Sequence, residues 1–168
     1  MATESTSTRT TVFLHPGYVY CDTAPTAIQT VLGSNVAVCL WDTRRHFGGM
    51  NHFLVPAPAA SEGPTPRHGN AAIAALIGLM TEAGSATGDI VAQIYGGAYR
   101  EGTESGSPVG LRNIAAARAM LEQRQIRIVS EDIGGAMGRK VVFDTLTGHV
   151  MVIKVYQLRE SDWLSEER

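Results

Sequence analysis

The stretch from Ile28 to Pro56, IQTVLGSNVAVCLWDTRRHFGGMNHFLVP, limits the fold more than any other part of the chain. It holds two apolar runs of strand length, Val36–Trp41 and His52–Val55, separated by a charged turn that carries Gly48-Gly49. Two such runs read as a hairpin, which is expected to bring a residue at the mouth of the first strand close to a histidine on its neighbour. Gly33-Ser34-Asn35 lies at the mouth of the first strand and His52 opens the second. A nucleophile and its base are assembled from distant positions in this way. The residue at the mouth is Asn35, however, and a carboxamide is not a nucleophile.

The rest of the composition narrows the functional classes. At 168 residues the chain is long enough for one core, and one domain is expected. Its formal net charge of −2, without a Lys/Arg run, argues against nucleic acid or anionic membrane as the main partner. No apolar run approaches the roughly 20 residues that a membrane span needs, so no membrane insertion is expected. Residues 1–10, MATESTSTRT, lack the basic-then-apolar order of a signal peptide and read as a disordered lead. Cys21 and Cys39 are too few for a disulfide framework. The expected compartment is the cytoplasm.

Along the chain, Thr11–Leu14 and Tyr18–Tyr20 read as extended pieces around the turn His15-Pro16-Gly17, and Thr26–Leu32 as extended or a short helix. Residues 56–69 form a Pro/Gly/Ser-rich loop, either disordered or a lid beside the functional face. A helix is expected over Asn70–Ala83, with Asn70 as cap and Ile73, Leu76, Ile77 and Met80 on one face. A strand follows over Asp89–Tyr95, then a second helix over Asn113–Arg124 capped by Asn113. Ile126–Ser130 is a strand, and Arg139–Asp144 with His149–Tyr156 is a hairpin around Thr145–Gly148. This order predicts an α+β domain over residues 11–156. Its sheets are largely antiparallel or mixed, packed in layers with two helices outside. A charged tail, residues 157–168, is expected at the periphery.

Several motifs have plain structural explanations. The pairs Gly48-Gly49, Gly96-Gly97 and Gly134-Gly135 read as tight turns at strand boundaries that shape one rim. GGAMGRK superficially resembles a phosphate-binding loop, but Val141 follows Lys140 and opens an apolar run that predicts a strand where that loop needs a helix. His46, His52 and Cys39 lack metal-ligand spacing, and no cofactor motif is present. Asp42, Glu131 and Asp132 sit at strand ends, where carboxylates are commonly solvated. His15 beside Pro-Gly reads as a turn residue.

The segments LGSNVAVCLWD, GGMNHFLVP, RHGNAAI, YGGAY, VGLRN and EDIGGAMGRKVVFDTLTGHV, in that order, resemble the CheD family, the chemoreceptor glutamine deamidases. The likeness runs from about His15 to Tyr156. It implies a cysteine nucleophile at the position of Asn35 and a histidine seventeen positions on, which is His52. It also implies a threonine just upstream. Six positions before the nucleophile stands Gln29, with Thr30 next to it on the opposite strand face, and Thr30 is carried over as the candidate. The resemblance further implies a chemotaxis setting, chemoreceptor helices as substrate, and a CheC-type phosphatase as a partner. Cys39 is four residues from Asn35, about 13 Å along an extended strand, and reads as a small buried apolar residue. Two expectations follow: a glutamine deamidase whose nucleophile is replaced, or a non-catalytic adaptor that binds the same partners.

Overall fold

In the computed structural model, which describes residues 9–159 and 162, the run Val36–Asp42 is a strand buried on both faces. Val36, Val38 and Leu40 point into a core shared with two helices, while Ala37 and Cys39 point into a second core facing another sheet. Uninterrupted apolar sequence suits a strand covered on both sides, and three layers result.

The elements in chain order are β1 (Thr10–Phe13), β2 (Val19–Asp22), β3 (Thr26–Leu32), β4 (Val36–Asp42), β5 (Phe47–Asn51), α1 (Gly69–Glu82), β6 (Ile90–Gly96), α2 (Val109–Gln123), β7 (Arg127–Ile133), β8 (Gly138–Asp144) and β9 (Val150–Val155). One sheet has the order β1-β3-β8-β9, the other β2-β5-β4-β6-β7. Pairing is antiparallel except for β1 with β3 and β6 with β7. The parallel pair β6 and β7 is joined through α2, as parallel neighbours require a crossover. Helix α1 packs on β2 and β5, and α2 on β4, β6 and β7. The fold is α+β, with mixed sheets in layers and both helices on one outer side.

Local differences from the sequence reading have physical causes. The β4–β5 turn is Thr43–His46, and Gly48-Gly49 lies inside β5 rather than in the turn. A Cβ at Gly49 would press on the Tyr20 carbonyl and stand 2.7 Å from Leu76 Cδ1, so glycine is what lets α1 and β2 close on the strand. His52 therefore follows the second strand instead of opening it. Phe53 still bridges to Val36, and Val55 to His68. Thr26–Leu32 is a strand. Helix α1 is capped by His68, not Asn70, and α2 begins a full turn before Asn113, after Pro108. Glu131 and Asp132 belong to β7.

The ends of the chain depart from the expected boundaries too. Thr10 already pairs in β1, and residues 1–8 of the expected lead lie outside the described residues. In the expected tail, Leu158 packs on Gly138, and Asp162 forms a 2.6 Å ion pair with Lys140. The remainder, residues 160, 161 and 163–168, lies outside the described residues.

Two glycines give opposite expectations. Gly49→Ala should destabilise the protein by about 1–3 kcal/mol, because the added methyl overpacks the helix–sheet layer. Gly78 in α1 has open space where its Cβ would stand, so Gly78→Ala should stabilise by about 0.5–1 kcal/mol through helix propensity. Urea unfolding midpoints of the two variants check both signs.

Candidate active site

Between β3 and β4 the chain leaves one sheet and enters the other. The crossing is Gly33-Ser34-Asn35, and each of its three carbonyls is held. Ala98 N–H donates to Gly33 O at 2.9 Å, Gly97 N–H to Asn35 O at 2.9 Å, and the Asn113 carboxamide to Ser34 O at 3.1 Å. Gly96 and Gly97 take φ of +104° and +71°, and a Cβ at Gly96 would collide with the Asn35 carbonyl. That glycine pair is a turn that needs positive φ, as its sequence suggests. Gly134-Gly135 is another, with φ of +73° and +63°. The two turns meet, since Gly134 N–H donates to Gly96 O at 2.9 Å and Tyr99 N–H to Gly135 O at 2.8 Å.

Strand parity sends three side chains into the gap between the sheets. In β3, Ile28 and Leu32 face the inter-sheet core, and Thr30 lies between them on that same face. Asn35 shares the parity of Ala37 and Cys39, and His52 that of Met50, all three of which line this core. Gln29 has the opposite parity. Thr30, not Gln29, therefore meets the histidine: Thr30 Oγ1 is 2.7 Å from His52 Nδ1. Counting six positions back from Asn35 misses this residue by one.

Thr30, His52 and Asn35 form a line whose proton positions can be deduced. Thr30 Oγ1 donates its one proton to the Leu14 carbonyl at 2.8 Å. It must then accept from His52 Nδ1–H. That leaves a lone pair on His52 Nε2, which accepts from the Asn35 Nδ2–H at 2.9 Å. The His52 backbone is fixed as well. Its N–H donates to Tyr18 O at 3.3 Å and its carbonyl accepts from Gly17 N–H at 2.8 Å. The His15-Pro16-Gly17 turn thus grips the histidine backbone, a role that no single residue of that turn announces. Thr30 and His52 are buried, whereas Asn35 is partly exposed. The line opens to solvent at residue 35.

Burial pushes the His52 imidazole down to about 4, opposed by the Leu14 backbone interaction and aided by the nearby His15. At neutral pH it is an uncharged base. Cys39 is buried in the inter-sheet core, and desolvation drives its thiol far above the usual range. It has no thiolate to offer. Cys21 lies in β2, its thiol raised to about 11 chiefly by burial.

The other singled-out residues sit elsewhere. His46 stacks on Trp41 in the β4–β5 turn, ring centroids 5.3 Å apart. Asp42 is buried rather than solvated, accepting from the Arg44 and Arg45 N–H groups and from Ser85 Oγ at 2.6 Å. Glu131 pairs with Arg118, and Asp132 with Arg139 and Lys154. Residues 56–68 border a cavity of about 740 Å³, lined by Leu54, Val55, Pro56 and Pro58 with Arg67 and Arg112. This cavity starts two residues beyond His52.

Two buried side chains that hold backbone carbonyls were not legible as such. Asn113 reads as a helix cap, yet it is wholly buried within α2 and reaches the Ser34 and Leu54 carbonyls. Arg139 sits in a motif that superficially resembles a phosphate loop. Its buried guanidinium instead holds the glycine turn, donating to Gly134 O at 2.8 Å and to Met137 O at 3.2 Å while pairing with Asp132.

The His52 environment has a consequence for stability. Its folded pKa of about 4 lies below the ordinary 6.5, so between those values the unfolded chain binds a proton that the folded chain refuses. The neutral-histidine contribution is complete above pH 6.5 and is lost as pH falls toward 4. A shift of this size amounts to about 3 kcal/mol. His52→Gln should show a smaller loss of unfolding free energy than the parent between about pH 7 and pH 4.5, read by urea titration at each pH.

The family model described as CheD chemotactic sensory transduction matches residues 54–154, beginning just after His52. A probable chemoreceptor glutamine deamidase CheD of Trichlorobacter lovleyi is 42% identical over 141 residues, covering 83% of this chain and 88% of the relative. The protein of the same description from Sulfurimonas denitrificans is 39% identical over 142 residues, covering 83% and 91%. A probable chemoreceptor glutamine deamidase CheD 1 of Anaeromyxobacter dehalogenans is 39% identical over 145 residues, covering 86% and 84%. The chain belongs to the CheD family of chemotactic sensory transduction.

Proposed function

We propose that this chain carries the site of a chemoreceptor glutamine deamidase, with its nucleophile position filled by Asn35 and its hydrolytic activity silent as a result. The observation that carries the reading is the aligned chain from the Leu14 carbonyl through Thr30 and His52 to residue 35. Thr30 holds the ring in one tautomer, burial keeps it neutral, and the Nε2 lone pair faces residue 35. In such a site a cysteine thiol at 35 gives its proton to Nε2 and its sulfur attacks the glutamine side-chain carbonyl. Backbone N–H groups at the strand mouth stabilise the oxyanion. The proton passes from His52 to the leaving nitrogen, and ammonia departs from a thioester. Water, deprotonated by His52, then releases glutamate and restores the thiol. The cavity beside residues 54–58 gives room for the polypeptide that bears the glutamine.

Asn35 interrupts this at its first step. Its nitrogen lone pair is delocalised into the carbonyl, and its N–H already occupies His52 Nε2. That self-satisfied pair favours a second reading in which the chain is a non-catalytic adaptor in the cytoplasm, gripping chemoreceptor helices or a CheC-type phosphatase through the same mouth.

The test uses the purified chain with a receptor cytoplasmic fragment, following ammonia release and the glutamine-to-glutamate mass change. The chain as written should stay at background, since losing a covalent nucleophile costs on the order of 10⁶ in rate. Asn35→Cys alone should produce deamidation, because Thr30 is already in place; Gln29→Thr should add nothing. His52→Ala in the Asn35→Cys protein should lower the rate by about 10²–10⁴. An Asn35→Cys protein that binds receptor without turnover would leave the adaptor reading. One that neither binds nor turns over receptor would sink both.

A further inference from the structure

Helix α2 reaches the site through one side chain. Asn113 spends both protons of its carboxamide on the two segments that carry the reacting positions: Ser34 O at 3.1 Å and Leu54 O at 2.9 Å. Ser34 immediately precedes residue 35, and Leu54 follows His52 by two. The anchor itself is rigid, because Ile114, Ala117 and Leu121 bury the next two turns of α2 in the helix–sheet core. Gly110, one turn earlier, lies directly against Gly97, whose N–H holds the Asn35 carbonyl. Asn113 Oδ1, meanwhile, is buried with no protein partner among the described residues. A buried acceptor left without a partner opposes folding, so packing alone does not explain a carboxamide here.

We propose that Asn113 is a positioning residue that sets the separation between residue 35 and His52 by tying their two loops to α2. The proposal rests on reading those residues as the nucleophile position and its base. Hydrogen-bonded proton transfer tolerates little misplacement, so loosening either carbonyl should weaken the coupling of a thiol at 35 to the imidazole. Sequence inspection gives no hint of this, because an asparagine near a helix start is ordinarily a cap.

The experiment follows alkylation of the Asn35→Cys thiol by iodoacetamide from about pH 5 to pH 9, with melting temperature measured alongside. The Asn35→Cys protein should be alkylated at neutral pH faster than a free thiol, because the neutral Nε2 takes the thiol proton as the sulfur attacks. Adding His52→Ala should slow the reaction at neutral pH and leave a profile set by the thiol alone. Adding Asn113→Ala should move the profile in the same direction and slow alkylation about tenfold. Met80→Ala, a core truncation in α1 that does not touch the site, should lower the melting temperature without moving the profile. Should Asn113→Ala fail to fold, Asn113→Ser retains one donor for one carbonyl and should give a smaller shift of the same sign. A profile unmoved by Asn113→Ala or Asn113→Ser, yet moved by His52→Ala, overturns the role given to Asn113. A profile that His52→Ala also leaves unmoved overturns the site reading, and the role of Asn113 with it.

Discussion

Strand β4 has apolar side chains on both faces, and it cannot sit at a surface. Each residue buried this way contributes about 1.5–3 kcal/mol relative to exposure, so both faces must be covered at once. Two helices cover one face and a second sheet covers the other. The chain reaches β4 directly from that second sheet, which forces a sharp crossing at Gly33-Ser34-Asn35. The crossing exposes residue 35 at a corner where both sheets end. The site is a by-product of that corner, since three strand ends supply three inward side chains without a dedicated loop to carry them.

The chemistry depends on what the third member of the line is. A carboxylate in place of Thr30 would stabilise a charged imidazolium; a hydroxyl that gives its own proton to a backbone carbonyl stabilises the neutral ring and fixes its tautomer. Burial works in the same direction. The result is a base that is unprotonated through the physiological range, already aimed at residue 35. The Asn35 carboxamide matches the hydrogen-bonding demand of that base, so the pair is satisfied as it stands.

Much of this was legible in the sequence. Period-two parity places Asn35 and Cys39 on one face, and the resemblance to the CheD family singles out the histidine seventeen positions after Asn35. The layered α+β fold and both helices were legible too. Three features resisted reading for physical reasons. Gly48-Gly49 looks like a turn, but it is a strand thinned to let Leu76 and Tyr20 approach. Thr30 was offset by one because counting residues back from Asn35 ignores which face β3 turns inward, and only Ile28 and Leu32 packed in the inter-sheet core reveal that. Asn113 and Arg139 act on backbone carbonyls of other segments or turns, and nothing local marks a side chain whose partners are carbonyls.

The most direct test of the account is nitrogen NMR of the His52 ring in the chain as written, followed through a pH titration. The account requires a neutral ring at physiological pH, protonated on Nδ1 and bare on Nε2, with titration near pH 4. A ring protonated on Nε2 would show that the lone pair does not face residue 35 and would contradict the reading of the site, and one titrating near the ordinary 6.5 would show that burial does not hold the ring neutral.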